Sequence, residues 1–270
     1  QGLGTGQLFI NNIPSPLKVK SGELSIDKSS IWLDVNQFIA DWFSSPDEMT
    51  LQTSGSTGKP KSISVKKEWM RNSARLTGKT FGLTQGDSAL LCMPMKYIAG
   101  KMMVVRALEL GLNLKVVEPS SNPLKDLESP IDFAAMVSLQ LEKSLNDWYK
   151  VKKLIVGGGR ITPQLVEKLQ SGSTQVFETY GMTETLTHVA IKPLNGPNKS
   201  ELFHVLDGVH FEKDDRDCLV IHATDLNPEP IVTNDLVELL DKKSFRWLGR
   251  FDNVINSGGV KIIPEVVEAK

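Results

Sequence analysis

Nine consecutive residues, Thr53-Ser54-Gly55-Ser56-Thr57-Gly58-Lys59-Pro60-Lys61, bring together four hydroxyls, two glycines and two lysines. Glycine lets backbone N–H groups come close to an anion, hydroxyls add donors and lysine adds charge, so the stretch suits a polyphosphate. It is not a Walker A loop. Only Ser56 and Thr57 separate Gly55 from Gly58, and Pro60 stands where a hydroxyl residue would follow Lys59. A flexible Ser/Gly linker is the plain alternative, and the Pro with its paired lysines argues against it.

Three further clusters could meet the rest of a nucleotide. Gly157-Gly158-Gly159-Arg160 follows the apolar run 153–156, and glycines at a strand end let a flat ring approach the backbone. In Glu178-Thr179-Tyr180-Gly181-Met182-Thr183-Glu184-Thr185, Tyr180 offers an aromatic face, Thr183 a hydroxyl and Glu184 a carboxylate able to hold Mg²⁺ beside phosphates. Asp235 can accept two hydrogen bonds from a ribose diol, although Asn234-Asp235 also reads as an ordinary turn. The run 248–262 adds Arg250, Asp252 and the pair Gly258-Gly259, loop residues of the kind that form hinges. By contrast, Gly2-Leu3-Gly4-Thr5-Gly6 lacks the flanking strand and helix of a dinucleotide fingerprint.

In this order the motifs resemble the adenylate-forming superfamily, which holds acyl-CoA ligases, luciferase-like enzymes and peptide-synthetase adenylation domains. The resemblance runs from about residue 49 to the end of the chain. It implies that Thr53, Ser54, Gly55, Ser56, Thr57, Gly58, Lys59 and Lys61 hold the β- and γ-phosphates. Adenine would lie between Tyr180-Gly181 and Gly157, Gly158 and Gly159, with Asp235 and Arg250 on the ribose and Asp252 as hinge. Thr183, Glu184 and Lys59 are the implied catalytic residues, with Glu184 the metal ligand. The implied cofactors are ATP and Mg²⁺, with coenzyme A as co-substrate. Segment 254–264 further resembles the o-succinylbenzoate–CoA ligases, enzymes of menaquinone biosynthesis. Their acid carries a second carboxylate, for which Lys96, Tyr97, Arg106, His188, Ser257, Gly258 and Gly259 are the pocket candidates. Arg106 could instead lie along its apolar helix with its head in water, and His188 could be structural. Other acid–CoA ligases, a peptide-synthetase domain or a non-catalytic nucleotide-binding module are the rival readings.

Two departures stand out. In Pro94-Met95-Lys96-Tyr97-Ile98-Ala99-Gly100, Tyr97 replaces the family's histidine and Lys96 its aromatic residue. The part before the phosphate loop, 1–48, is short. The cap domain, with its Gly-Lys lysine, is not in this sequence, and segment 264–268 reads as the first turn of a further element. The chain alone is therefore expected to be impaired in catalysis.

These residues need elements to hold them. Trp32, Val35, Phe38, Ile39, Trp42 and Phe43 recur at helical spacing over 31–43, and 68–80, 101–110 and 163–170 also read as helices. The apolar runs 89–93, 114–117, 133–137 and 153–156 read as buried strands. Strand–helix alternation predicts an α/β architecture of mostly parallel sheets covered by helices. From about 187 the short strands 187–191, 203–211, 218–222, 231–232, 237–240 and 245–248 predict a smaller antiparallel β subdomain. The expected division is 1–186, 187–249 and a hinge region 250–270. Met102, Met103 and Met182 read as core packing.

The whole composition agrees with that class. The 270 residues carry a formal net charge of −1, too little positive charge for a nucleic-acid clamp. No apolar run is long enough to span a membrane, and no signal peptide is visible. Two cysteines are too few for a disulfide scaffold. The expectation is a cytoplasmic enzyme whose partners are a small-molecule carboxylic acid, ATP and coenzyme A, with a homodimer as a further expectation.

Overall fold

The computed structural model describes residues 9–10, 13–14, 30–44, 47–52, 62–257 and 260–268. By contact the chain divides into two units, one of residues 1–160 with 172–175, the other of 161–171 with 176–270.

The first unit opens with two short strands, β1 (Phe9–Ile10) and β2 (Ile13–Pro14), then α1 (Ser30–Ser44). Ile31, Val35, Phe38 and Trp42 recur every three to four residues and are all buried. β3 (Glu48–Gln52) pairs antiparallel with β4 (Ser62–Lys66), so residues 53–61, outside the described residues, join two strands. Between this loop and the helix expected over 68–80 the sequence reading assigns no element. Ser62-Ile63-Ser64-Val65-Lys66 alternates polar and apolar with period two, and Val65 is buried, so a strand comes first. α2 (Lys67–Phe81) follows, burying Met70, Ala74, Thr77 and Phe81 along one face.

β5 (Ser88–Leu91), α3 (Ile98–Leu110), β6 (Asn113–Val116), β7 (Ile131–Val137), α4 (Ser138–Lys143) and β8 (Val151–Gly157) complete this unit. The strands lie in the order β8-β7-β5-β6-β1 and run parallel, with β2 antiparallel at the edge. Ala89, Leu90 and Leu91 of β5 are wholly buried, as a central parallel strand requires. The chain steps outward from β5 to β6, then crosses back to β7 on the other side of β5. The order therefore reverses between β5 and β7, where open α/β sheets leave a crevice beyond the strands' carboxyl ends.

The second unit contains α5 (Pro163–Lys168), whose first turn is capped by Thr162 accepting from the Leu165 N–H, and then strands. These are β9 (Gln175–Gly181), β10 (His188–Pro193), β11 (Phe203–Val205), β12 (His210–Lys213), β13 (Cys218–Ala223), β14 (Asn227–Asp241) and β15 (Ser244–Arg250). They form an antiparallel array in the order β12-β13-β14-β15-β11-β10-β9. A hairpin of β16 (Ile255–Ser257) and β17 (Val260–Ile262) and the short α6 (Pro264–Val267) follow. Phe245 anchors the core: the ring centroids of Phe203 and Phe211 lie 5.3 and 5.1 Å from it.

Two stretches depart from the strands their sequence pattern predicts. Segment 203–211 is not one strand, because Leu206-Asp207-Gly208-Val209 breaks it and Gly208 takes φ +77. Segments 231–232 and 237–240 are one strand, β14, whose register to β13 slips between Cys218 and Val220. That bulge absorbs Asn234-Asp235, so the turn-forming pair bends the strand without ending it.

Candidate functional site

In the second unit the bulge in β14 carries Asp235, which is only 6% exposed. Its Oδ2 accepts from the Tyr180 hydroxyl of β9 at 2.6 Å. Its Oδ1 accepts from Trp247 Nε1 at 3.2 Å and from the Arg250 guanidinium at 3.4 Å. Its backbone N–H is held by Thr233 Oγ1, which itself donates to the Leu219 carbonyl. A carboxylate offers about four acceptor directions, and three are taken by donors that fix the group in place. Burial and the adjacent Asp235 charge push the Tyr180 phenol well above its ordinary range, so it stays a donor. Tyr180 packs edge-on to Phe245 at 5.2 Å, which sets the ring before any ligand arrives.

Arg250 also reaches Asp252 at 3.4 Å, and the Asn234 amide donates to both Asp252 oxygens at 3.1 and 3.3 Å. Arg216 holds the same stretch from behind. It donates to Asn234 Oδ1 and to the Thr233 carbonyl while lying over the Phe251 ring. Asp235, Arg250 and Asp252, named from sequence, are thus brought together. Trp247, Thr233, Asn234 and Arg216, which join them, were not picked out. Only the indole of a Trp in a strand, needing a partner for its N–H, could have hinted at one of them.

The turn after β9 presents Thr183 and Glu184. A Cβ at Gly181 would overlap the Thr187 carbonyl, so the strand end is closed to any larger residue. Thr183–Thr185 form a 3-10 turn, with Thr183 half-buried and Glu184 exposed. Thr185, buried and absent from the sequence reading of the site, receives the Met182 N–H on its hydroxyl and donates within the turn. Leu186 is held at φ +65, and Thr187 N–H closes on the Thr185 carbonyl at 2.7 Å, a strained γ-turn. His188 lies buried in β10 at the foot of this turn. Among the described residues no group of three or more His, Cys, Asp or Glu side chains could hold a metal ion. An exposed carboxylate beside a hydroxyl does suit Mg²⁺, which keeps most of its shell from phosphates and water.

In the first unit, Gly157 ends β8, and Gly158 takes φ +76, which favours glycine. A Cβ at Gly158 would touch Val137, and one at Gly159 would touch Ser138 Oγ, so the turn after β7 lies against this glycine run. Lys96 and Tyr97 are exposed at the start of α3, with the Lys96 ammonium 4.8 Å from the Tyr97 ring. Arg106 does not snorkel. It is 2% exposed, and its guanidinium donates to Thr77 Oγ1 at 3.2 Å and meets Met103 Sδ at 3.4 Å. Desolvation pulls it down to about 10. Met102 and Met103 are buried, as read. Thr53, Ser54, Gly55, Ser56, Thr57, Gly58, Lys59, Lys61, Gly258 and Gly259 lie outside the described residues, as does the side chain of Ser257.

The family model for AMP-binding enzymes matches residues 29–205, well over half of the chain. The 2-succinylbenzoate–CoA ligase of Lactococcus lactis subsp. lactis (strain IL1403) is 27% identical over 269 residues, covering 90% of this chain and 59% of that protein. That of Enterococcus faecalis (strain ATCC 700802 / V583) is 26% identical over 254 residues, covering 81% and 52%. The chain thus spans less than two thirds of the length of these curated relatives. Among solved structures, an acyl-CoA synthetase (AMP-forming)/AMP-acid ligase II-like protein from Dyadobacter fermentans DSM 18053 superposes with a TM-score of 0.77 at 42% identity. The match covers 87% of this chain and 69% of that one. The o-succinylbenzoate coenzyme A synthetase of Bacillus subtilis, solved in complex with ATP and magnesium ion, shares the fold with a TM-score of 0.68. It is 20% identical over 79% of this chain and 52% of its own.

Proposed function

The chain belongs to the AMP-binding enzyme family, and on that premise we propose that it is the nucleotide- and acid-binding part of an AMP-forming acid–CoA ligase acting on o-succinylbenzoate. The observation that carries the nucleotide half is Asp235, a nearly covered carboxylate fixed by Tyr180, Trp247 and Arg250 with one acceptor direction to spare. The names of the curated relatives support the acid.

In the first half-reaction a carboxylate oxygen of the acid attacks the α-phosphorus of ATP, and the bond to the bridging oxygen breaks to release pyrophosphate. In the second, the sulfur of coenzyme A attacks the acyl carbonyl and AMP leaves. The carboxylate is already a competent nucleophile, so the protein's part is placement and charge stabilisation. In the second unit Asp235 would accept from a ribose hydroxyl in its spare direction, with Arg250 beside it on the ribose. The Thr183 hydroxyl would donate to the α-phosphate and Glu184 would hold Mg²⁺, which supplies charge neutralisation of the phosphates when bound. In the first unit residues 53–61 would hold the β- and γ-phosphates, Gly157, Gly158 and Gly159 would admit the adenine edge, and Lys96 and Tyr97 would face the acid.

Isothermal titration of the chain with AMP, and with a non-hydrolysable o-succinylbenzoyl-AMP analogue, tests this. Both should bind, each displacing the other. Asp235→Asn should weaken AMP by roughly tenfold or more, since a hydrogen bond to a charged group contributes about 1.5–3 kcal/mol. Absence of binding, or an unchanged Asp235→Asn, would sink the reading.

A further inference from the structure

We infer that Gln140 is a positioning residue that sets the acid side of the crevice between β5 and β7, and through it the choice among acids. The inference rests on the acid–CoA ligase reading above and deepens it.

Gln140 stands on the first turn of α4 at 6% exposure, and its amide binds three segments at once. Nε2 donates to the Cys92 carbonyl just past β5 at 3.0 Å, and to the Ser120 carbonyl in the crossover after β6 at 2.9 Å. Oε1 accepts the Val137 N–H at the end of β7 at 3.2 Å. Only the NH₂ end can face two carbonyls, so the partners determine the amide's orientation. Ser144, one turn further on and wholly buried, fastens the same crossover by donating to Asn122 Oδ1 at 3.0 Å.

β5 and β7 are the neighbours between which the strand order reverses, and such sheets take their ligands beyond the carboxyl ends at that point. Gln140 is therefore a tie across the mouth of that crevice. The turn it holds presents Val137, 37% exposed, and Leu139, 55% exposed, while the segment after β5 presents Tyr97, 44% exposed. Apolar side chains left in the open at the carboxyl ends of a parallel sheet suit an aryl or alkyl acid rather than a phosphate. Cutting the tie would leave the strands paired and free the turn. Acid recognition should then suffer more than AMP recognition: the acid would face both the turn and the segment after β5, whereas AMP would meet the turn only through Gly158 and Gly159 and keep its ribose and phosphate partners in the second unit.

The test compares affinities for AMP and for the o-succinylbenzoyl-AMP analogue in the wild-type chain and in Gln140→Met, which keeps the volume but loses the amide. We expect the analogue to weaken by about tenfold, the loss of roughly one hydrogen bond's net contribution, with AMP affinity within about twofold. Gln140→Asn retains the amide but is one methylene short; it should show the same split, and it serves if Gln140→Met does not fold. Equal weakening of both ligands, or no change in either, overturns the inference while leaving the ligase reading in place. A wild-type chain that binds neither ligand overturns both.

Discussion

Asp235 and Arg106 are both charged and nearly covered, at 6% and 2% exposure, but their surroundings differ. Asp235 accepts from a phenol, an indole and a guanidinium, whereas among the described residues Arg106 meets a hydroxyl and a thioether sulfur, both uncharged. A desolvated cation without an anion costs several kcal/mol, and apolar replacements of buried charged groups are often stabilising. Arg106→Met should therefore raise stability by roughly 1–3 kcal/mol. Thr77, its partner, would still donate to the Ser73 carbonyl at 2.9 Å and be left satisfied. Urea unfolding of the two proteins checks the sign. If stability falls, Arg106 supports the fold through Thr77 and Met103; if affinity for the acyl-AMP analogue drops while stability holds, Arg106 serves the acid.

At the scale of elements, β5 and β7 are tied at both ends. Gln140 holds their carboxyl ends, and Asp132 holds the opposite ends by accepting from the Ser88 N–H at 2.8 Å and the Ser88 hydroxyl at 2.6 Å. Lys152 adds a third bond at 2.6 Å. Partial burial raises the Asp132 carboxyl, but the bonds from Lys152 and Ser88 together outweigh it and bring it down to about 2. A carboxyl lowered in the folded state stabilises above its ordinary value near 4. That contribution is lost as pH falls from there through about 2. Asp132→Asn should be less stable than wild type by about 1–3 kcal/mol at neutral pH. The gap should close between about pH 4 and pH 2. Chemical unfolding at a series of pH values reads this, and a gap that stays constant would show that the charge plays no part.

For the whole molecule, a net charge of −1 supplies no net attraction for a polyanion, so nucleotide affinity rests on where charges and donors are placed locally. A ligand that binds only the folded chain stabilises it by about 2.7 kcal/mol at a hundredfold excess over Kd. For a chain of this size that is a rise of roughly 5–10 °C in Tm. The acyl-AMP analogue should produce it in thermal melts, and Asp235→Ala at the same ligand concentration should show most of it lost. Equal shifts in both proteins would place the ligand away from Asp235.

Much of the architecture was legible in the sequence because its cause is local. The period of Ile31, Val35, Phe38 and Trp42 makes α1, and uninterrupted apolar runs make β5, β7 and β8 wherever they lie. Tyr180, Asp235, Arg250 and Asp252 were legible as residue types in an ordered series, and the structure brings these four together. What sequence could not give were relations set by pairing across long separations. The bulge that keeps Asn234-Asp235 inside β14 arises from register against β13. Thr185 and Leu186 became recognisable only once the turn had closed on itself at φ +65. Arg106 looked like a residue with access to water, and only the packing of α3 against α2 shows that it has none. Gln140 reads as one polar residue of a short mixed helix, since two of its three partners come from segments 20 and 48 residues away. Local periodicity determines which elements form, whereas a buried polar group's role depends on which carbonyls and amides the fold brings within about 3 Å of it.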